Sequence, residues 1–378
     1  MNEITLPRKQ PVRLASEETV ERSEDAVVIR FPGRRNVLST SWMNGGYRED
    51  LVAVFNHRIS LEACDTCHAG NGSVQQYLEG VARSFGLDLE TATGLITRAE
   101  MKNTAIVTES FRDLTVTAIV TAGIEKNGGR AGDPASYYEN GDSVEPVGGT
   151  INTILLINAD LPEYAMTRAV MTATEAKTVA LQQLMARSIY STGIATGSGT
   201  DMIVIVADPG SSRQLSNAGK HSKLGELIGL AVIRATSAAL EMETGLSPES
   251  QRDVLVRLSR FGITEDDLWA AVAGMAGPEE KTRFLNHVRS RVKDPFLVSG
   301  MAAALHVADE AEWGLIPSDA ARSTIAELMV DKYRTGTIPC DTGPVLNTLV
   351  REFSRMMFEE SRGTASGTGA LSGDYFRN

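Results

Sequence analysis

One stretch constrains this chain more than any other. Gly193 to Gly229 runs from a glycine- and hydroxyl-rich loop through an apolar run to a helical pattern. Ala195-Thr196-Gly197-Ser198-Gly199-Thr200-Asp201 is the loop, and Met202 to Ala207, mostly Ile and Val and bounded by turn residues, is the run. That combination reads as a buried strand. A second loop then leads to His221 at the start of a helix. A dinucleotide fingerprint needs strand, glycine loop and helix with GxGxxG spacing, and neither condition holds. Glycines let a backbone approach a ligand closely, while Thr196, Ser198, Thr200 and Asp201 bring donors and acceptors. The stretch reads as a small-molecule pocket, not a nucleotide cradle.

Composition narrows the partners. Phosphate binding needs clustered Lys and Arg, so a formal net charge of −11 over 378 residues argues against nucleic acid. No run approaches the roughly 18 apolar residues of a membrane span. Arg8, Lys9 and Arg13 near the N-terminus lack the apolar core of a signal peptide, and a cytoplasmic protein is expected. Cys64, Cys67 and Cys340 are too few, and odd in number, for a disulfide framework. Cys64-Asp65-Thr66-Cys67-His68 matches the C-x-x-C-H haem-attachment spacing, but no export signal accompanies it and no second C-x-x-C completes a zinc site. A polar loop is the reading taken there.

The expected fold class is α+β: a mixed β-sheet core with packed long helices, followed by an all-α C-terminal domain. Residues 1–24 read as a loose polar arm. Ala26–Phe31 and Asn36–Trp42 read as two strands broken at Pro32-Gly33, and Asn44-Gly45-Gly46 as a tight turn. Glu49–Asn56 fits helix or strand. Val74–Phe85 has helical spacing, and Ala105–Glu109 with Leu114–Thr121 reads as a hairpin. Gly128–Gly148 reads as a surface loop, Thr153–Ile157 as a strand, Pro162 to about Ser188 as a helix, and Ser222–Met242 as another. The core domain is set at 25–245, a helical appendage at 246–362, and a disordered tail at 363–378. The appendage helices are candidates for homo-oligomer contacts.

Several motifs then fall into order: Leu38-Ser39-Thr40, Asn44-Gly45-Gly46, Asn56, Gly94-Leu95-Ile96-Thr97-Arg98-Ala99, Thr121-Ala122-Gly123, Gly149-Thr150-Ile151-Asn152, Thr172 to Lys177, Ala195 to Asp201, and His221 to Glu226. Together they resemble the adenosylcobinamide amidohydrolase family over about residues 36–240. The resemblance implies a corrinoid-salvage enzyme that hydrolyses the amide between a corrin propionyl side chain and 1-amino-2-propanol, giving adenosylcobyric acid. The alternative is a corrinoid-binding or trafficking protein without catalysis. The cobalt would belong to the substrate, no protein metal is expected, and metal dependence is open.

Amide hydrolysis needs a nucleophile, an oxyanion stabiliser and an acid for the leaving amine. No cysteine lies in the matched motifs, which leaves an activated water or a hydroxyl. His221 is the expected general base or acid because imidazole titrates near neutrality. Asp201 is expected to orient His221 or to bind an amide donor, or else to hold its own turn. Glu175 and Lys177 stand two apart on a helix, about 200° around it, and cannot both face one pocket; Glu175 is the chosen pocket carboxylate. Thr150, after Gly-Gly at a strand start, is a further candidate as an N-terminal-type nucleophile freed by self-cleavage, with its amine as base, and ranks below an activated water. Asn44 with the Gly45 and Gly46 amides is an oxyanion-hole candidate, with a plain turn as the competing reading. The expected substrate-binding set is completed by Asn152, Lys177, Thr196, Gly197, Ser198, Thr200, Lys223 and Glu226.

Overall fold

The computed structural model describes residues 11–14, 16–60, 74–135, 150–329 and 343–363. Cys64, Cys67, His68, Cys340, Gly149, most of the Gly128–Gly148 loop and the 364–378 tail lie outside the described residues. The chain divides into two compact units, Met1–Glu249 and Ser250–Asn378.

The first unit is α+β around one mixed sheet. Its strands are β1 (Val12–Arg13), β2 (Thr19–Arg22), β3 (Ala26–Ser39), β4 (Gly46–Arg58), β5 (Ala92–Thr97), β6 (Ala105–Phe111), β7 (Leu114–Gly123), β9 (Thr150–Ile157) and β11 (Met202–Ala207). The remaining two, β8 (Gly128–Gly129) and β10 (Gly197–Ser198), make a small separate sheet. The main ladder runs β1-β2-β3-β11-β9-β7-β6, with β4 on the other side of β3 and β5 beyond β4. β11 and β9 are parallel, as are β4 and β5, while β3–β11, β9–β7 and β7–β6 are antiparallel.

The sheet curls. Asn56 of β4 bonds to Asn152 of β9 although β3 and β11 separate those strands in the ladder, so the side chains meet across the concave face. Alternation then assigns the faces. Val27, Ile29, Val54, Leu95, Ile119, Ile154 and Val204 fill the concave side. Val116, Ala118, Leu155 and Ile205 face outward against α2 (Glu163–Gln183) and α3 (Lys223–Thr244), whose alanines Ala165, Ala169, Ala173, Ala231 and Ala235 permit close helix–sheet packing. Elsewhere Val28 and Phe55 pack on Leu78 and Ala82 of α1 (Val74–Ser84).

Several expectations change. Part of the loose arm is strand: Val20 is fully buried because residues 19–22 pair with β3. β3 is one strand rather than two. Its register shifts between Arg30 and Arg35, so Pro32 falls where the ladder is already irregular and no amide is demanded of it. Glu49–Asn56 is strand. α2 stops at Gln183 rather than near Ser188, because Met185 takes a left-handed φ of 50°. Gly128–Gly129 is no free loop, since it pairs with Gly197–Ser198.

The second unit is helical, as α4 (Val254–Ser259), α5 (Glu265–Ala270), α6 (Lys281–Arg291), α7 (Pro295–Glu312), α8 (Ser318–Met329) and α9 (Val345–Ser361). Leu258, Leu268, Phe284, Met301, Ile325, Leu349 and Phe353 form its core. α5 is followed by a 3-10 turn at Ala273–Met275. No helix among the described residues is long and apolar enough to cross a membrane.

Candidate functional site

The parallel pairing of β9 and β11 sets their first residues side by side, with Asn152 opposite Met202. On the other side of β9, Thr150 faces Gly123 and Thr121 faces Asn152. Motifs far apart in sequence therefore share one end of the sheet.

Asp201 is the hub of that end. Its carboxylate pairs with Lys177 of α2 and accepts from the Ser198 hydroxyl at 2.6 Å, the Ser198 amide at 3.0 Å and the Ile151 amide at 3.1 Å. The Lys177 and Asp201 side chains are only 12% and 18% exposed. A carboxylate with its lone pairs committed to donors is an anchor for positive charge rather than a base. Gly197 makes room for it, because a Cβ there would fall well inside contact of Asp201 Oδ2 and 2.8 Å from Lys177 Nζ. The β8–β10 pairing holds the loop in place: the Thr196 amide donates to Gly129 O at 2.9 Å, and the Ala131 amide donates to Thr196 Oγ1 at 2.9 Å. Behind it, burial pushes Asp133 up, but the Ser188 and Ser191 hydroxyls and the Arg130 amide outweigh that and hold it below its ordinary value.

Two further groups complete the end of the sheet. The Thr150 and Thr200 hydroxyls share a hydrogen bond of 2.8 Å. One residue pair further in, on the concave face, Asn152 Nδ2 donates to Asn56 Oδ1 at 2.7 Å and to Ile96 O at 2.8 Å, and Asn56 Nδ2 donates to Thr121 Oγ1 at 2.8 Å. The neighbouring His57 faces the other way: it meets the Tyr77 hydroxyl at 3.2 Å, and burial holds its pKa below the ordinary imidazole value.

The geometry thus assembles Thr150, Asn152, Lys177, Gly197, Ser198, Thr200 and Asp201, with Thr196 as a loop fastener. Other expected residues lie elsewhere. Asp201 does not orient His221, since its oxygens serve Lys177, the Ser198 amide and hydroxyl, and the Ile151 amide. His221 is exposed, in the turn before α3. Glu175 is not a pocket carboxylate but forms an exposed pair with Lys220 at 2.6 Å. Lys223 and Glu226 pair with each other at 2.6 Å, and Lys223 lies over the Phe111 ring at the β6–β7 hairpin tip, the end of β7 remote from Thr150. Nor does Asn44 supply an oxyanion hole. Its Nδ2 is spent on Leu89 O at 2.6 Å and Ala92 O at 2.8 Å, and its φ of 51° marks the turn reading. A Cβ on Gly45 would strike the Ser41 carbonyl, and Gly46 has a φ of 80°.

Sequence reasoning missed Asn56 and Thr121 as site residues. The available signal was an amide side chain in an otherwise apolar strand, where Asn is disfavoured without a partner. Among the described residues no group of three or more His, Cys, Asp or Glu side chains comes together as a metal site.

Comparison with known proteins decides the family. The family model described as adenosylcobinamide amidohydrolase (CbiZ) matches residues 11–248. The chain belongs to the adenosylcobinamide amidohydrolase family. Uncharacterized protein MJ1613 of Methanocaldococcus jannaschii is 37% identical over 226 residues, which is 57% of this chain and 85% of that protein. The adenosylcobinamide amidohydrolase of Methanosarcina mazei is 28% identical over 209 residues, 53% of this chain and 88% of that one. Among solved structures, the PH0078 protein of Pyrococcus horikoshii OT3 aligns with 63% of this chain and 82% of its own at 13% identity and a TM-score of 0.30, a likeness that carries no argument. The adenosylcobinamide amidohydrolase match ends at 248, and the helical unit from Ser250 lies beyond it.

Proposed function

We propose that this protein hydrolyses the aminopropanol amide of adenosylcobinamide. Water adds to the amide carbonyl carbon, the C–N bond breaks, and the nitrogen takes a proton, giving adenosylcobyric acid and 1-amino-2-propanol. The observation that supports this reading is the convergence of Lys177, Asp201, Thr150 and Thr200 at the shared end of β9 and β11, within the region that matches the family.

The roles follow from chemistry. The Lys177 ammonium, held by Asp201, stabilises the oxyanion that develops as the carbonyl is attacked. The Thr150–Thr200 hydroxyl pair holds the attacking water. Asp201 is a positioning residue that fixes Lys177 and the loop together. His221, Glu175, Lys223 and Glu226 take no part in the bond-breaking step. The cobalt is the substrate's, and no protein-bound metal enters the scheme.

The test is to incubate the purified protein with adenosylcobinamide, with and without chelator, and separate the corrinoids by chromatography. Adenosylcobyric acid formed equally in both supports the scheme. Product lost on chelation keeps the reaction but overturns the metal-free part. A corrinoid bound but never cut would make this a binding protein.

A further inference from the structure

Thr121 and Asn152 stand directly opposite one another on β7 and β9, each 1% exposed. Asn56 ties them together, accepting from Asn152 and donating to Thr121. These bonds fix which way the Asn152 amide points. Turned over, its oxygen would face Asn56 Oδ1 and Ile96 O, two acceptors.

The bonds leave two functions over. Asn152 Oδ1 is buried and has no partner. The Thr121 hydroxyl uses a lone pair to accept from Asn56, so its own proton is available to another group. A buried acceptor left unpaired is destabilising, and native proteins keep few. Here it lies just inside the end of the sheet where Thr150 and Thr200 meet.

One acceptor and one donor side by side, on cross-strand neighbours about 5 Å apart at Cβ, complement a carboxamide. Its N–H donates to Asn152 Oδ1 and its carbonyl accepts from Thr121. A carboxylate presents acceptors only and leaves Asn152 unpaired. We infer that Thr121 and Asn152 form a recognition pair for a primary carboxamide, whose syn N–H and carbonyl lie on one side as those of the trans secondary amide cleaved at the site do not, and that the pair rejects a carboxylate. This rests on the hydrolase reading for its biological use, but the pair itself is tested separately.

The probe is propionamide against propionate, titrated into the full-length protein while the Asn152 side-chain amide signals are followed by 15N–1H NMR. Those signals are assigned by their loss in Asn152→Asp. Movement with propionamide and none with propionate is the expected result. Equal movement with both, or none with either, overturns the inference whether or not the protein turns over substrate. On adenosylcobinamide, Thr121→Val lowers kcat/KM about tenfold, the size of one lost hydrogen bond, and Thr121→Ser restores it. Full activity in Thr121→Val, or equal loss in both variants, also overturns it. A wild-type protein that releases no 1-amino-2-propanol sinks the hydrolase reading alone.

Discussion

Gly197→Ala perturbs one atom at the centre of the site. The new Cβ would lie well inside contact of Asp201 Oδ2 and 2.8 Å from Lys177 Nζ. Lys177 can swing its flexible end away. Asp201 cannot, because the Ser198 amide, the Ser198 hydroxyl and the Ile151 amide hold its carboxylate from the other sides. The carboxylate must therefore shift by about 1 Å to regain ordinary contact, loosening bonds to a charged group that are each worth about 1.5–3 kcal/mol when fully made. Partial loss of two of them gives about 2 kcal/mol. In a unit of this size that is a fall of about 4–8 °C in Tm. The assay is thermal unfolding followed by circular dichroism, with turnover of adenosylcobinamide measured well below the transition. Gly129→Ala is the control, since it faces Gly197 in the same small sheet and its nearest neighbour would be Tyr190 Cδ2 at 3.4 Å. An unchanged Tm and unchanged turnover in Gly197→Ala would refute the argument that this glycine exists to let Asp201 and Lys177 meet.

Other outcomes follow from the same geometry. Gly94→Ala puts a Cβ 2.6 Å from Phe55 Cε1 and closer still to the ring tip, in a fully buried core; a denaturant midpoint should show a loss of about 1–3 kcal/mol, partly recovered by adding Phe55→Leu. Asn44→Gly keeps the positive φ but removes the bonds to Leu89 O and Ala92 O. It should cost about 1–3 kcal/mol and leave turnover of the folded enzyme unchanged, whereas a selective loss of turnover would revive the oxyanion-hole reading. In the helical unit, the Arg362 guanidinium and then the Gly277 amide hold Glu280 down to about 2. A carboxylate depressed in the folded state contributes stability above its unfolded value near 4.5 and loses it as pH falls toward 2. Glu280→Gln should therefore destabilise the full chain at pH 6 and progressively less at pH 3, and a pH-independent difference would contradict the pairing.

Much of this fold is legible in the sequence because local rules and tertiary demands agree. Met202–Ala207 is apolar and β-branched, and it is a buried strand. Ser222 and Gly245 bracket α3 as cap residues, Ser222 accepting from the Gly225 amide at 3.0 Å and Gly245 adopting a φ of 72°. Motif glycines are informative for a physical reason: Gly94, Gly197 and Gly225 each sit where a Cβ would collide, the last 2.5 Å from the Gly219 carbonyl carbon. What the sequence conceals is which motifs meet. The 200° offset between Glu175 and Lys177 is readable, but which one faces inward depends on where β11 begins, and that favours Lys177. His221 follows a polar loop and an imidazole suits the chemistry, yet the helix it precedes starts toward the hairpin tip at Phe111. The Asn56–Asn152 bond joins strands that are not ladder neighbours, so only the curl of the sheet reveals it.

The most direct test sets Lys177→Met beside His221→Ala on adenosylcobinamide. The measurement is the initial rate of adenosylcobyric acid formation, with circular dichroism confirming that both variants are folded. Loss of two to three orders of magnitude in Lys177→Met, the size of a lost oxyanion stabiliser, with His221→Ala within about threefold of wild type, is the expected result. A folded Lys177→Met that still turns over, or a His221→Ala that does not, would move the chemistry away from the end of β9 and β11.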